Sequence, residues 1–307
     1  SGRGEAQEDL AYVRAHLSRT LDLTVYETSP DCTARSLTQQ SVKQNVDLII
    51  VSGGDGTINA AAEAVTSSGI PLAIIPRGTA NAIATALDIP SNIPDACDIA
   101  VSGAIRTIDT ASCNGHPMVL LAGIGLEAAV VEQASRGSKD RFGALAYIMS
   151  GIQKLSELDS FEATIETDDK IISVSASAVT VANVAPSTSV LAQGPAEIIA
   201  DDGLLDITIV ASDGIGDTLA ASYELFRSAV SNQAAARDDI GYIRSKRVQI
   251  TTEPPQKVVL DGEMVGTTPL DIKCIPSSLN LVVSQEPVQT KDEDLSGLPN
   301  LTIEPKE

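Results

Sequence analysis

The stretch that decides the fold is residues 46–65, V-D-L-I-I-V-S-G-G-D-G-T-I-N-A-A-A-E-A-V. An apolar run at 46–51 leads into the glycine-rich segment 52–57, and an alanine-rich segment follows directly. A nearly continuous apolar run is typical of a parallel strand covered on both faces. The stretch therefore predicts a buried strand, a tight turn and a helix, which together open an α/β sheet.

The same order repeats on both sides of this stretch. Residues 23–26 predict an earlier strand, and residues 70–75 predict a later one that ends in P-R-G-T-A-N at 76–81. Residues 81–87 then predict another helix. Strands that alternate with helices indicate an α/β N-terminal domain with an open, mostly parallel sheet.

Beyond about residue 105 the pattern becomes β-rich, with one turn signal at 167–170 and two helical segments at 142–158 and 217–231. Strands are predicted at 118–121, 161–166, 171–184, 205–210, 242–251, 257–260, 270–275 and 279–283. Many short strands predict an all-β-rich, sandwich or barrel-like second domain. The predicted domains are 1–105 and 106–284, with the last strand packing back on the first domain, followed by a flexible acidic tail at 285–307.

Composition limits the classes of function. Lys plus Arg number 21 and Asp plus Glu number 41, which gives a formal net charge of −20. Such a charge argues against binding to nucleic acid, because that binding depends on basic residues that neutralise phosphates. The chain has no apolar run of about 18 residues and no secretory signal pattern, so we expect no transmembrane segment and a cytoplasmic location. The four cysteines lie far apart, as expected of reduced, buried thiols.

The glycine-rich segment 52–57 has the features of a phosphate-binding loop. Gly53, Gly54 and Gly56 allow close approach of the backbone to an anion, and the helix that follows adds the positive end of its dipole. Asp55 would repel a phosphate unless a cation lay between them, so its presence predicts Mg²⁺. A tight turn with no ligand is the alternative, although such a turn needs only one glycine and no carboxylate.

The second loop, residues 76–81, offers similar groups. Gly78 and Thr79 present an N–H group and a hydroxyl, and Asn81 lies beside them at the start of a helix. Taken alone, this loop is equally well explained as a helix cap. Because the ends of neighbouring parallel strands meet at one edge of a sheet, we expect it to form the second wall of the same site.

These motifs together resemble the diacylglycerol kinase catalytic-domain family, which includes bacterial lipid kinases and the sphingosine and ceramide kinases. Residues 53–59 are similar to the family's GGDGTxN loop, and residues 76–81 to its PxGTxN loop. Residues 201–206 match a DDGLLD stretch, and residues 260–263 match LDGE. The resemblance extends over nearly the whole chain and implies an ATP- and Mg²⁺-dependent lipid kinase, a transferase of lipid metabolism.

The resemblance also implies roles for particular residues. It places the nucleotide at Thr28, Gly53, Gly54, Asp55, Gly56, Thr57, Asn59, Gly78, Thr79 and Asn81. It assigns Glu263 as the base that takes the proton from the lipid hydroxyl, assisted by Asp261, and it puts Asp55 near the catalytic Mg²⁺. Ile199, Asp202 and Leu204 would hold a structural Mg²⁺. Without the resemblance, residues 261–263 would be interpreted simply as a hairpin turn.

Two departures from the family pattern keep other functions open. Ala60 and Ala82 stand where the family commonly has acidic residues. One alternative is therefore a nucleotide-binding regulator without catalysis. Another is a kinase of a soluble substrate, because NAD kinases also carry a GGDG loop. For the favoured interpretation we expect a lipid substrate at a membrane surface with peripheral attachment; a homodimer is compatible with it.

Overall fold

The computed structural model describes residues 2–129, 160–185, 198–211, 239–284 and 302–305, together with residue 192. The chain divides into two compact units. The first comprises residues 1–108 and 277–287, and the second comprises residues 109–276 and 288–307.

Helices predominate before residue 103 and strands thereafter, although residues 126–129 are also helical. The elements are α1 (Gly2–Leu17), α2 (Ala34–Lys43), β1 (Ile49–Gly53), α3 (Asp55–Val65), β2 (Leu72–Pro76), α4 (Ala82–Ala86), α5 (Ile93–Ser102), β3 (Ala104–Cys113), β4 (His116–Met118), β5 (Leu121–Gly125), β6 (Phe161–Glu166), β7 (Lys170–Ala176), β8 (Ala178–Ala182), β9 (Leu205–Val210), β10 (Ile240–Ser245), β11 (Arg247–Glu253), β12 (Lys257–Leu260), β13 (Glu263–Thr267), β14 (Leu270–Val283) and β15 (Thr302–Pro305).

The first unit has a parallel sheet covered by helices. β1 and β2 pair in parallel, from Ile49 opposite Leu72 to Gly53 opposite Pro76. Residues 277–283 of β14 belong to this unit, and Leu281 pairs in parallel with Leu72. All of β2 is buried, as expected of a strand with both faces covered. The predicted α/β architecture with a mostly parallel sheet is confirmed.

One hydrophobic cluster of the first unit joins two helices to the sheet. Its buried members come from α1, β2, α5 and β14: Val13, Leu17, Ala73, Ile75, Ala96, Cys97, Ala100 and Val282. Burying apolar surface of this kind stabilises by roughly 25 cal/mol per Å² removed from water. The packing fixes α5 and α1 against β2, the strand whose end leads into the second loop.

Residues 23–26 were predicted as a strand, and this prediction is wrong. The segment has no regular structure, and Val25 and Tyr26 are each 41% exposed. A strand needs a neighbour that exchanges backbone hydrogen bonds with it. No strand in the described part of the first unit pairs with this segment, so its β-type composition has no ladder to join.

The second unit contains two sheets. One has the strand order β14–β11–β6–β7–β15, and these neighbours run antiparallel. The other has the order β10–β9–β8–β5–β12–β13, also antiparallel. The inner faces of both sheets contribute to one buried core, for example Ile165, Ile250 and Ile272 from the first and Val181, Ile207 and Leu260 from the second. The predicted β-sandwich is confirmed.

The hairpin predicted at residues 167–170 is present. β6 and β7 pair along their length, and the Thr167 N–H donates to the Lys170 carbonyl over 2.9 Å. The helices predicted at 142–158 and 217–231 lie outside the described residues. So does most of the predicted tail, of which Thr302–Pro305 forms β15 and pairs with β7. In the part of the chain that the structure describes, no helix is long and apolar enough to cross a membrane.

Candidate active site

The first glycine loop joins β1 to α3. The Gly54 carbonyl accepts the N–H groups of Thr57 and Ile58, each over 3.0 Å, so α3 begins at Asp55 and not at residue 58 as the alanine-rich pattern predicted. A Cβ atom at Gly53 would lie 2.8 Å from the Thr57 Cβ, which is too close for any larger residue. This arrangement directs the first N–H groups of α3 toward the end of the sheet.

The second loop is organised by the side chain of Asn81. The Asn81 Oδ1 accepts the Gly78 N–H over 2.7 Å, and its Nδ2 donates to the Gly78 carbonyl over 2.9 Å. Asn81 itself adopts a left-handed backbone conformation with φ of 48°, and it is 7% exposed. Asn tolerates this conformation better than most residues do. The Asn81 side chain therefore holds the second loop together, and the residue is also the N-cap of α4.

The two loops touch. A Cβ atom at Gly78 would lie 2.8 Å from the Gly54 Cα, so position 78 requires glycine, whereas a Cβ atom at Gly54 would lie 3.4 Å from the Gly78 Cα. The Asp55 carboxylate crosses the junction and accepts the backbone N–H groups of Asn81 over 3.0 Å and Ala82 over 2.6 Å. The loops therefore form one structural element, as the strand order predicted, and Asp55 is the side chain that joins them.

The first turn of α3 is open beside the joined loops. Gly56 is exposed, and a Cβ atom placed there would meet nothing within 4 Å. The N-terminus of α3, a helix of 11 residues, faces this space with its positive dipole end. The negative charge of Asp55 is offset by the two N–H groups that it accepts. An anion at the helix terminus is thus compatible with Asp55.

The other residues that the family resemblance assigns to the nucleotide differ in their exposure. Thr57 packs behind Gly53, and Asn59 is half-buried in α3. Thr79 is exposed in the second loop, and Thr28 is exposed in the segment before α2. Ser52 was missed by the sequence analysis: its buried Oγ has no hydrogen-bond partner among the described residues. The sequence signal for Ser52 is its position, because it is a polar residue at the end of an apolar strand and next to the glycines.

The turn between β12 and β13 carries the proposed base in the second unit. Asp261 and Gly262 have φ values of 47° and 88°, the pair of positive values that a tight hairpin turn of this kind needs. Leu260 pairs with Glu263 across the turn. Glu263 is exposed on the edge strand β13, so its carboxylate is accessible.

Asp261 is an anchor for this turn. Its carboxylate accepts the backbone N–H groups of Val119 over 2.8 Å, Leu120 over 2.9 Å and Leu121 over 2.9 Å. Burial, together with the charges of Asp261 and Asp271, raises the pKa of the nearby Cys113 thiol to about 11. With three N–H donors on its oxygens, Asp261 supports Glu263 by fixing the turn.

Asn183, which the sequence analysis did not assign to the site, supports the same anchor. Its Nδ2 donates to the carbonyls of Asp109 and Val119, each over 2.9 Å, and the residue is 1% exposed. Val119 thus connects Asn183 with Asp261, because its carbonyl accepts from one and its N–H donates to the other. This connection depends on the pairing of β5 with β8, two strands that are far apart in the sequence.

The predicted magnesium ligands lie away from this turn. β9, which follows them, is three strands from β12 in the sheet, roughly 14 Å at the usual strand spacing. Asp202 Oδ1 accepts the Leu204 N–H over 2.9 Å, and Oδ2 forms an ion pair with Arg244. Ile199 is buried. Because Arg244 already neutralises Asp202, this set of donors does not fit a bound Mg²⁺.

Comparison with known proteins agrees with this architecture. Residues 1–113 match the model of the "Diacylglycerol kinase catalytic domain", and residues 121–283 match the "YegS C-terminal NAD kinase beta sandwich-like domain". The chain is 42% identical over 297 residues to an uncharacterized protein of Synechocystis sp., covering 93% of this chain and 69% of that protein.

Two further relatives extend the comparison. A Staphylococcus aureus (strain JH9) protein named "Putative lipid kinase" is 28% identical over 284 residues, which cover 92% of this chain and 91% of that protein. A crystal structure titled "putative diacylglycerol kinase" from Bacillus anthracis str. Sterne superimposes with a TM-score of 0.73 at 26% identity, covering 91% and 92% of the two chains. The chain belongs to the diacylglycerol kinase catalytic-domain family of kinases, which are phosphotransferases.

Proposed function

We propose that this protein is an ATP- and Mg²⁺-dependent lipid kinase that transfers the γ-phosphoryl group to a hydroxyl of a lipid such as diacylglycerol. The observation that carries the proposal is the anchored turn at residues 260–263, which fixes an exposed carboxylate. The two relatives named as kinases of lipids support the choice of substrate class.

The joined loops supply the nucleotide side of the reaction. The N–H groups at the start of α3 face the open space beside Gly56, and we assign the phosphates to this space. Asp55 keeps the second loop, with Gly78 and Thr79, next to the first. Mg²⁺ would enter with the nucleotide, neutralise phosphate charge and use at most one or two carboxylates of the protein.

Glu263 acts on the lipid hydroxyl that accepts the phosphoryl group. As the lipid hydroxyl oxygen bonds to the γ-phosphorus, the bond from that phosphorus to the β–γ bridging oxygen breaks and ADP leaves. The hydroxyl proton goes to the Glu263 carboxylate. A positioned base contributes typically 10²–10⁴-fold to such a reaction. Asp261 is a positioning residue, because its oxygens are held by backbone N–H groups.

Label transfer tests the proposal. Purified protein is incubated with γ-labelled ATP, Mg²⁺ and a dispersion of neutral lipids that contains diacylglycerol, and the lipids are extracted. We expect label in a lipid product. A parallel reaction offers NAD as the soluble acceptor, since the second domain also matches a description that names NAD kinase. Label in NAD alone would exclude the lipid substrate, and ATP binding with no labelled product would indicate a non-catalytic regulator.

The proposal places the enzyme at a membrane surface on the cytoplasmic side, where both ATP and its lipid substrate are available. A formal charge of −20 disfavours attraction to anionic lipid. We therefore expect activity on diacylglycerol in neutral vesicles to exceed activity in vesicles rich in anionic lipid. Raising the salt concentration should reduce this difference, because salt screens the repulsion.

A further inference from the structure

Arg244 lies directly opposite Asp206 in the second unit. β9 and β10 pair antiparallel with Arg244 and Asp206 in register, so both side chains project from the same face of the sheet. The Arg244 Nε is 3.5 Å from Asp206 Oδ1, and its Nη2 forms an ion pair with Asp202 Oδ2. One guanidinium group thus contacts two carboxylates.

The side chains of Arg244 and Asp206 are largely removed from water, whereas Asp202 is an exposed residue whose side chain is partly covered. The Arg244 side chain is 11% exposed, Asp202 21% and Asp206 2%. Charges this deep are tolerated only when they are paired, because desolvation disfavours an isolated ion. The pairing of Arg244 with both aspartates supplies the compensation.

Neutral donors add hydrogen bonds to these carboxylates and to the loop that carries them. Tyr242 donates its hydroxyl to Asp206, and the Leu204 N–H donates to Asp202 Oδ1 over 2.9 Å. The Gly203 N–H donates to Asp109 Oδ2 over 2.6 Å, which ties the loop to β3. The loop before β9 is therefore fixed by groups of the chain itself.

A divalent cation at this loop would compete with the guanidinium. Mg²⁺ prefers octahedral oxygen ligands and keeps several waters, whereas a guanidinium offers five fixed N–H donors and no acceptor. A cation placed on Asp202 would also face the positive charge of Arg244. The guanidinium of Arg244 cancels the charge of one of the two carboxylates that it contacts, which weakens their attraction for Mg²⁺.

We propose that Arg244 is the resident cation of the acidic loop at residues 201–206, and that this loop folds without a metal ion. Arg244 pairs with Asp202, the one side chain that the family resemblance assigns to this Mg²⁺. The second unit then keeps its fold in the absence of Mg²⁺, and any Mg²⁺ requirement of the protein comes from the nucleotide alone. The proposal does not depend on the identity of the phosphoryl acceptor.

Thermal unfolding of the nucleotide-free protein tests this. Melting temperatures are measured in EDTA and in millimolar Mg²⁺ for the wild type, Arg244→Met and the control Arg247→Met, which removes an arginine from an exposed pair with Asp271. We expect no Mg²⁺ response from the wild type or the control. Arg244→Met should lose roughly 5–10 °C in EDTA. Mg²⁺ should restore roughly 2–5 °C of that loss, because the carboxylates become available to it.

Two further variants keep the test decisive. If Arg244→Met does not fold, Arg244→Lys keeps the positive charge and should show no Mg²⁺ response; a response there overturns the proposal. A wild-type response to Mg²⁺ that disappears in Asp202→Asn also overturns it. If the wild-type response to Mg²⁺ persists in Asp202→Asn, the metal binds elsewhere in the protein. The proposal then predicts a larger response in Arg244→Met than in the wild type, and an equal response in the two contradicts it.

Discussion

The Asp55 carboxylate accepts the backbone N–H of Asn81 over 3.0 Å, although the two residues are 26 positions apart in sequence. A second N–H, from Ala82, binds the other carboxylate oxygen over 2.6 Å. Asp55 therefore joins both glycine loops, in addition to any contact with a metal that accompanies the nucleotide. The position of the second loop relative to the first depends on this carboxylate.

Replacing Asp55 by Asn should weaken nucleotide binding whether or not Mg²⁺ is present. The amide NH₂ would meet one of the two N–H donors, and hydrogen bonds to a charged acceptor contribute about 1.5–3 kcal/mol. We expect a loss of affinity for a non-hydrolysable ATP analogue on the order of 10–100-fold, measured by calorimetry. Asp47→Asn, at an exposed position, is the control. A loss seen only with Mg²⁺ would assign Asp55 to the metal.

Gly78→Ala and Gly56→Ala should differ in their effect on stability. At Gly78 an added Cβ would approach the Gly54 Cα to 2.8 Å, so we expect a lower melting temperature and weaker nucleotide binding. At Gly56 the added Cβ meets nothing within 4 Å, so the fold should be unaffected. That Cβ would enter the space assigned to the phosphates. Unchanged nucleotide affinity in Gly56→Ala would show that the phosphates bind elsewhere.

Asp261→Asn should destabilise the second unit. The Val119 N–H would face an amide NH₂ in place of a carboxylate oxygen, which leaves a donor without an acceptor. We expect the melting temperature to fall by roughly 3–8 °C and turnover to fall with it, because the turn loses its anchor. Thermal unfolding measures the first effect and label transfer the second. Full stability in the variant would contradict the anchoring role.

The cysteines should differ sharply in reactivity. Cys32 is exposed, whereas Cys97, Cys113 and Cys274 are buried. Burial, with nearby carboxylates, raises the pKa of Cys113 to about 11 and of Cys274 to about 12. In the native protein at neutral pH we expect a thiol reagent to modify Cys32 rapidly and these three slowly. Cys32→Ser should abolish the fast phase, and a remaining fast phase would show that a second thiol is accessible.

The same pKa values give a direction for stability at alkaline pH. A thiol whose pKa is raised in the folded state stabilises that state while it is protonated. This contribution is complete below the ordinary pKa of 9.0 and is lost as pH rises toward 11 and 12. The free energy of unfolding should therefore decline above about pH 9 through Cys113 and Cys274, and replacing both by alanine should remove that part of the decline.

Local patterns predicted much of the fold. The strands at 161–166, 205–210 and 257–260 have the predicted bounds, because each apolar run is closed by turn residues. The segment at 23–26 failed, since composition gives a preference but supplies no neighbouring strand. The start of α3 was placed too late because the glycine loop itself forms the first turn.

Side-chain roles at the site were less predictable. The partners of Asp261 lie about 140 positions away, and Arg244 reaches Asp202 through the register of β9 and β10. Such contacts depend on how strands align, which no local pattern reports. The motifs identified Asp55, Glu263 and Asp202 in the sequence. The structure adds the hydrogen bonds and the ion pair that the carboxylates of Asp55 and Asp202 make within the chain.

The measurement that tests the central claim most directly is phosphoryl transfer to lipid by Glu263→Gln, with ATP affinity measured on the same sample. Glu263 is exposed, so the variant should keep the fold and bind ATP as the wild type does. Turnover should fall about 10²–10⁴-fold. Glu162→Gln, exposed on β6, should retain full turnover. A Glu263→Gln variant that keeps most of its lipid kinase activity would contradict the assignment of the base.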